Sequence, residues 1–170
     1  MKIAGAHVVP FPLEQAYTLL QDPVALAKAM PGCEALERIG EGEYHMKMKM
    51  LLASMSGLFD GKVRIADPNP FTSFRLVVEG AGKIGFMKGD GLLTLTAVEG
   101  GTNVAYDGSV EIGGTIAAVG QRLLDTTARM MIRRFFEKLS KEAGQIGTAG
   151  KPGTDGSVPK REAVINAADQ

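Results

Sequence analysis

Tryptophan is absent from this chain, cysteine occurs once, at Cys33, and histidine twice, at His7 and His45. A lone cysteine excludes an internal disulfide framework and fits a reducing compartment. The two histidines and one cysteine show no metal-ligand spacing, and no base can be assigned to Cys33 as a nucleophile. No apolar run approaches the roughly 18 residues that a spanning helix needs. The opening stretch, MKIAGAHVVPFP, holds one lysine and no long apolar core. A secretion signal is therefore not expected, the protein is expected to be cytoplasmic, and any membrane contact peripheral. An excess of either charge is missing too. The 19 Lys and Arg balance 19 Asp and Glu, so no overall field selects nucleic acid.

What is present is organised around Gly113–Ala143. The periodicity predicts one long helix over Thr115–Glu142. Ile116, Val119, Leu123, Met130 and Met131 recur at three- and four-residue spacing on one face. Leu124, Ala128, Ile132, Phe135 and Leu139 widen it. So broad an apolar sector suits a helix gripped in the curve of a sheet better than one resting on a single neighbour. Asp125–Arg129 and Arg133–Glu137 are i,i+4 pairs, each contributing roughly 0.2–0.5 kcal/mol. Arg134 is the odd charge on the apolar side and is expected to snorkel to the rim.

Upstream, Lys2–Val9 reads as a strand ended by Pro10 and Pro12. A short helix over Leu13–Leu20 follows. A second has Asp22 as N-cap, Pro23 as first residue, and Pro31-Gly32 as its stop. Six strands are then expected: Glu34–Ile39, Glu43–Leu52, Gly57–Ala66, Phe71–Gly80, Phe86–Val98 and Thr102–Ile112. Their connections are short and rich in Gly, Pro, Asp and Asn, which joins antiparallel neighbours. The order is α+β: a curved seven-stranded antiparallel sheet around a long C-terminal helix, with two short helices after the first strand. This domain covers residues 1–143. Gly144–Pro159 has a flexible-linker composition. Lys160–Gln170 offers a short tail segment with helical character and a small apolar patch, too short to be stable alone.

The strand Glu43–Leu52 alternates. Tyr44, Met46, Met48, Met50 and Leu52 share one face; His45, Lys47, Lys49 and Leu51 share the other. Methionine is a poor strand former where Val or Ile would serve, and it adapts to irregular shapes. Three in one stripe, opposite Met130 and Met131, satisfy either a filled core or an adaptable ligand cavity. Phe59, Phe74 and Leu76 join that face from the following strands. Gly80-Ala81-Gly82-Lys83-Ile84-Gly85 is a literal GxGxxG, but strand-like residues follow it. A dinucleotide site needs a helix there. The glycines instead let a hairpin bend, with Phe86 and Met87 at a cavity mouth. Lys47, Lys49, Lys62 and Arg64 would share the outer face if their strands pair. That face is either a solvated sheet surface or a basic patch for acidic partners or lipid headgroups.

Three stretches resemble the G subunit of carbon monoxide dehydrogenase, and the helix-grip order resembles the START-like superfamily that includes the major birch-pollen allergen. They are Asp22-Pro23 through Met30-Pro31-Gly32-Cys33; Gly80-x-Gly82-Lys83-x-Gly85-Phe86-x-Lys88-Gly89; and Gly113-Gly114 through Leu123-Leu124-Asp125 to Phe135-Phe136-Glu137-Lys138-Leu139. The resemblance covers about Met1–Ala143. It implies a non-catalytic accessory of a molybdenum hydroxylase of the carbon monoxide dehydrogenase type, which attaches that enzyme to the inner face of the cytoplasmic membrane. It also implies a hydrophobic small molecule, a lipid or a respiratory quinone, between sheet and helix, with no metal or covalent cofactor. The expected lining is Tyr44, Met46, Met48, Met50, Phe59, Phe74, Leu76, Phe86, Met87, Ile116, Val119, Leu123, Met130 and Met131. Two alternatives stand beside it. One is a docking protein with a filled core. The other is a cavity enzyme of cyclase or hydrolase type, for which the inward positions offer no acid–base pair.

Overall fold

The computed structural model describes residues 1–52 and 54–150, with side chains described to Lys141. Seven strands form one antiparallel sheet: β1 Lys2–Val9, β2 Cys33–Gly40, β3 Glu43–Leu52, β4 Met55–Asn69, β5 Ser73–Gly82, β6 Gly85–Val98 and β7 Gly101–Gly113. Their spatial order is β1-β7-β6-β5-β4-β3-β2. All steps from β2 to β7 are hairpins between neighbours, and the one long connection, from β1 to β2, carries α1 (Leu13–Leu19) and α2 (Pro23–Ala29). Hairpins need only short turns, which is why the Gly- and Pro-rich punctuation orders β2 to β7; β1 instead pairs with β7, far from it in sequence.

The short helices begin as their end chemistry requires. Asp22 caps α2 by accepting a hydrogen bond from Val24 N–H at 2.9 Å, and Pro23 fills the first position, where no N–H is needed. Past Pro31, the Gly32 carbonyl accepts Lys49 N–H at 2.8 Å, tying the α2–β2 turn to β3. After β1, buried Thr102 donates its hydroxyl to Phe11 O at 2.7 Å and holds the departing chain against β7.

The long helix starts later than its periodicity suggested. Thr115–Val119 is a separate 3-10 turn, and α3 runs from Gln121 to Gly150. Gly114 at φ 86° and Gly120 at φ 100° flank the turn. Both are in the left-handed region that breaks an α-helix and favours glycine. Ile116 and Val119 therefore belong to a strap before the helix, not to its face. At the other end, α3 includes the first part of the expected Gly144–Pro159 linker. Extending an existing helix adds one hydrogen bond per residue without a new nucleation cost. The rest of that linker and the Lys160–Gln170 tail lie outside the described residues. Arg129 Nε donates to Asp125 Oδ2 at 2.9 Å, whereas no ion pair joins exposed Arg133 and Glu137, where water competes for both charges. Arg134 is exposed.

The largest buried cluster lies at one end of the interior. Val9, Phe11, Phe74, Leu95, Val104, Phe136 and Leu139 form a continuous buried cluster below α1 and the late turns of α3. Tyr17 meets Phe74 edge-on, with ring centroids 5.7 Å apart, a favoured aromatic geometry. Beside that cluster, from Leu124 to Phe136 of α3, a space remains between the sheet and the helix.

Candidate functional site: an apolar cavity between sheet and helix

That space is a partly open cavity of about 350 Å³, at the lower end of the roughly 300–1,000 Å³ of small-molecule sites. Three elements build it. The wall is β3 and β4: Met46, Met48, Met50 and Leu52 point inward, with Phe59 and Val63 beside them. Register explains this, because Met48 lies opposite Phe59 and Tyr44 opposite Val63, which places all four on one face. The roof is α3, through Leu124, Thr127, Ala128, Met131, Ile132 and Phe135.

The floor is unusual. On β6 and β7 the inward positions at the cavity are Met87, Gly89, Gly91 and Leu93 facing Ile112, Val110, Gly108 and Tyr106, so glycine occupies three of them, with Gly91 directly opposite Gly108. None has a left-handed φ. A Cβ built on Gly89 meets nothing nearer than 3.7 Å, and on Gly91 nothing nearer than 3.5 Å. The backbone thus does not demand glycine at 89 or 91; the missing side chains leave volume. Gly108 differs, since a Cβ there would collide with the Asp90 carbonyl oxygen.

Among the described residues, no charged side chain faces this space. Asp90 and Asp107 border it from the strands, but the Asp90 carboxylate accepts a hydrogen bond from Arg75 at 2.6 Å on the outer side, and Asp107 is exposed. Thr127 and Tyr106 bring hydroxyls, and the Tyr106 ring lies over Gly5. The Tyr106 ring also joins a parallel stack with His7 and Phe136, His7 and Phe136 being 4.7 Å apart. Cys33 lines the cavity, and burial pushes its thiol above the ordinary value despite a hydrogen bond to Ala35 O. It is a neutral thiol at pH 7, not an activated nucleophile. Among the described residues, no three His, Cys, Asp or Glu come close enough to hold a metal.

Of the residues singled out from the sequence, Met46, Met48, Met50, Phe59, Phe74, Leu76, Met87, Ile116 and Met131 line the cavity. Phe86 touches its border, but its ring lies over Gly113 on the outer side, because Phe86 pairs with Ala81 and Gly113 while Met87 takes the inward phase. Tyr44 is buried beside Met46 and donates its hydroxyl to Gln21 O at 3.4 Å, outside the lining. Val119 packs against the Leu52–Phe59–Ile116 cluster. Leu123 is exposed and Met130 half-buried off the lining. A helical phase carried through from Ile116 fails at Gly120, and the true stripe is Leu124, Ala128, Met131 and Phe135. The glycine floor was legible as an alternation with Met87 and Leu93, yet strand glycines are usually read as bends.

The outer side decides between the two readings of its charges in favour of a solvated sheet face. Lys47 and Lys62 do share it, but Lys47 stands opposite Asp60, and Lys62 opposite Glu79. His45 Nε2 lies 2.8 Å from Asp60 Oδ1. Opposite charges alternate across the strands, so no continuous basic face forms there.

Residues 5–144 match the family model for the G subunit of carbon monoxide dehydrogenase (CoxG). The chain belongs to that family. Among solved structures, this CoxG-family protein resembles a conserved protein from Geobacillus kaustophilus, with 33% identity over 85% of this chain and 96% of that one, TM-score 0.81. A START superfamily protein from Mycobacterium smegmatis shares the fold at 13% identity, over 85% and 98% of the two chains, TM-score 0.63. So does the Zhui aromatase/cyclase from Streptomyces sp. R1128, at 13% identity over 85% and 94%, TM-score 0.60. No curated protein sequence matches. The CoxG family is described as a subunit, and its START-like fold is the helix-grip arrangement of this chain. No helix among the described residues is long and apolar enough to cross a membrane.

Proposed function

We propose that this protein is a non-catalytic accessory of a carbon monoxide dehydrogenase-type molybdenum hydroxylase. In this reading it recruits the enzyme to the inner face of the cytoplasmic membrane and binds a respiratory quinone in the cavity. The observation that carries the ligand is the cavity itself: apolar on wall and roof, opened by three glycines in its floor, and with no charged side chain turned into it. Burying apolar ligand surface there yields roughly 25 cal/mol per Å², and nothing in the lining selects an ion. Thr127 and Tyr106 can each offer a hydroxyl hydrogen bond to a carbonyl, the polar group that a quinone ring presents. The space left at Gly89, Gly91 and Gly108 suits a ring, and the methionine wall suits the start of a flexible chain. A full polyprenyl tail exceeds this volume, so the remainder lies outside the protein, at the enzyme or in lipid.

The family name supports the partner: a subunit of carbon monoxide dehydrogenase works beside that enzyme. Electrons from such an enzyme reach a quinone that resides in lipid, and a carrier with a removable ligand bridges the two places. The cyclase reading has the fold in its favour. Against it stand the neutral Cys33 thiol and a lining with no acid–base pair.

Mass spectrometry of lipids extracted from the purified protein tests the ligand. A quinone is the expected result. Phospholipid alone would leave a tether, and a protein that stays empty with added quinone would leave docking only.

A further inference from the structure

One end of the sheet carries exposed apolar side chains that the cavity does not use. Leu51 on β3 is 74% exposed and Leu58 on β4 is 58% exposed. Leu51 pairs with Ser56 and Leu58 with Lys49, which makes the two leucines diagonal neighbours on the outer side of one hairpin. Gly82 pairs with Phe59, so the β5–β6 turn brings Lys83 beside Leu58. Single exposed leucines are ordinary, but an adjacent pair framed by Lys49 and Lys83 is amphipathic. Charges balance over the whole chain, and Lys47 stands opposite Asp60, but Lys49 stands opposite the uncharged Leu58.

We propose that this hairpin end, with Leu51 and Leu58 between Lys49 and Lys83, is the surface by which the protein lies on an anionic bilayer. The leucines enter the acyl boundary and the lysines meet lipid phosphates. The placement serves the cavity. Alternation along β3 turns Lys49 and Leu51 outward while Met48, Met50 and Leu52 face in, so the cavity wall there is one strand thick. The 3-10 strap also closes this end, through buried Ile116, whose N–H donates to Ile84 O at 2.7 Å. The inference rests on the reading that the ligand is drawn from a membrane, and it adds the surface that makes contact.

Cosedimentation of the full chain with phosphatidylcholine vesicles, with and without phosphatidylglycerol, tests it. The expected result is tighter binding to the anionic vesicles, weakened by added salt. Leu51→Ser with Leu58→Ser, and separately Lys49→Glu with Lys83→Glu, each weaken it by about tenfold or more, given about fivefold per lysine at a lipid surface. All four side chains are exposed, so circular dichroism and melting temperature should match the parent. Variants that bind as the parent does would overturn this surface and leave membrane recruitment to another part of the chain. A parent protein indifferent to vesicles, yet still yielding an extractable quinone, would overturn the surface while the cavity reading stands.

Discussion

Gly91 on β6 faces Gly108 on β7 across the sheet, on the side that meets α3. The two look alike in sequence and differ in what holds them as glycine. At 108 a Cβ would collide with the Asp90 carbonyl oxygen; at 91 the nearest atom is 3.5 Å away, an ordinary contact. Gly108→Ala should therefore destabilise the fold. Gly91→Ala should be neutral or stabilise it by about 0.5–1 kcal/mol through reduced chain entropy. Urea denaturation separates the two. Gly89→Leu and Gly91→Leu should keep the fold and lose quinone uptake, read by quenching or by extraction. If uptake survives both, the ligand does not lie on this floor.

Gly120 at φ 100° has no neighbour within 4 Å of a built Cβ. Space is not its constraint; backbone conformation is. Gly120→Ala should cost on the order of 1–3 kcal/mol, because φ 100° with ψ 150° is a conformation that only glycine adopts freely. A thermal melt equal to the parent's would show that the chain turns from strap to α3 in another way.

Leu139 is 1% exposed and Leu123 is 37% exposed, on the same helix. Leu139→Ala should lose about 2–5 kcal/mol by leaving a cavity in the filled end. Leu123→Ala should change stability by less than about 0.5 kcal/mol. Equal effects in chemical denaturation would contradict this helix phase.

Burial raises the Cys33 thiol above its ordinary value. The folded state then keeps a proton that the unfolded chain releases, so stability is full below the unfolded thiol value and falls as pH rises through the folded one. The window lies above about pH 8.5. Cys33→Ala should flatten that part of the stability profile, and alkylation of native Cys33 near neutral pH should be slower than that of the unfolded chain. Rapid alkylation at pH 7 would show that the thiol is not shielded.

Deleting residues 151–170 tests the part played by the tail. Recruitment of the partner enzyme to membranes should fall, measured by cofractionation. Undiminished recruitment would make the tail a spacer.

Local pattern was enough for most of the architecture. Period-two alternation in Glu43–Leu52, the Asp22-Pro23 start and the glycine and proline turns each act over a few residues, and the β2–β7 order follows because hairpins pair neighbours, whereas β1 beside β7 is a long-range pairing. The inward methionines were legible for the same reason: a strand has two faces, and only one carries Lys47 and Lys49. What tertiary structure decided was the phase of α3 and the emptiness of the site. A helix break at Gly120 rotates everything after it relative to Ile116, and periodicity counted across the break assigned Leu123 and Met130 to the wrong side. Whether inward apolar residues meet or leave a gap depends on how far α3 stands from the floor of the sheet. The Phe74–Phe136–Leu139 packing that seats α3 and the missing side chains of Gly89 and Gly91 both act between elements far apart in the chain.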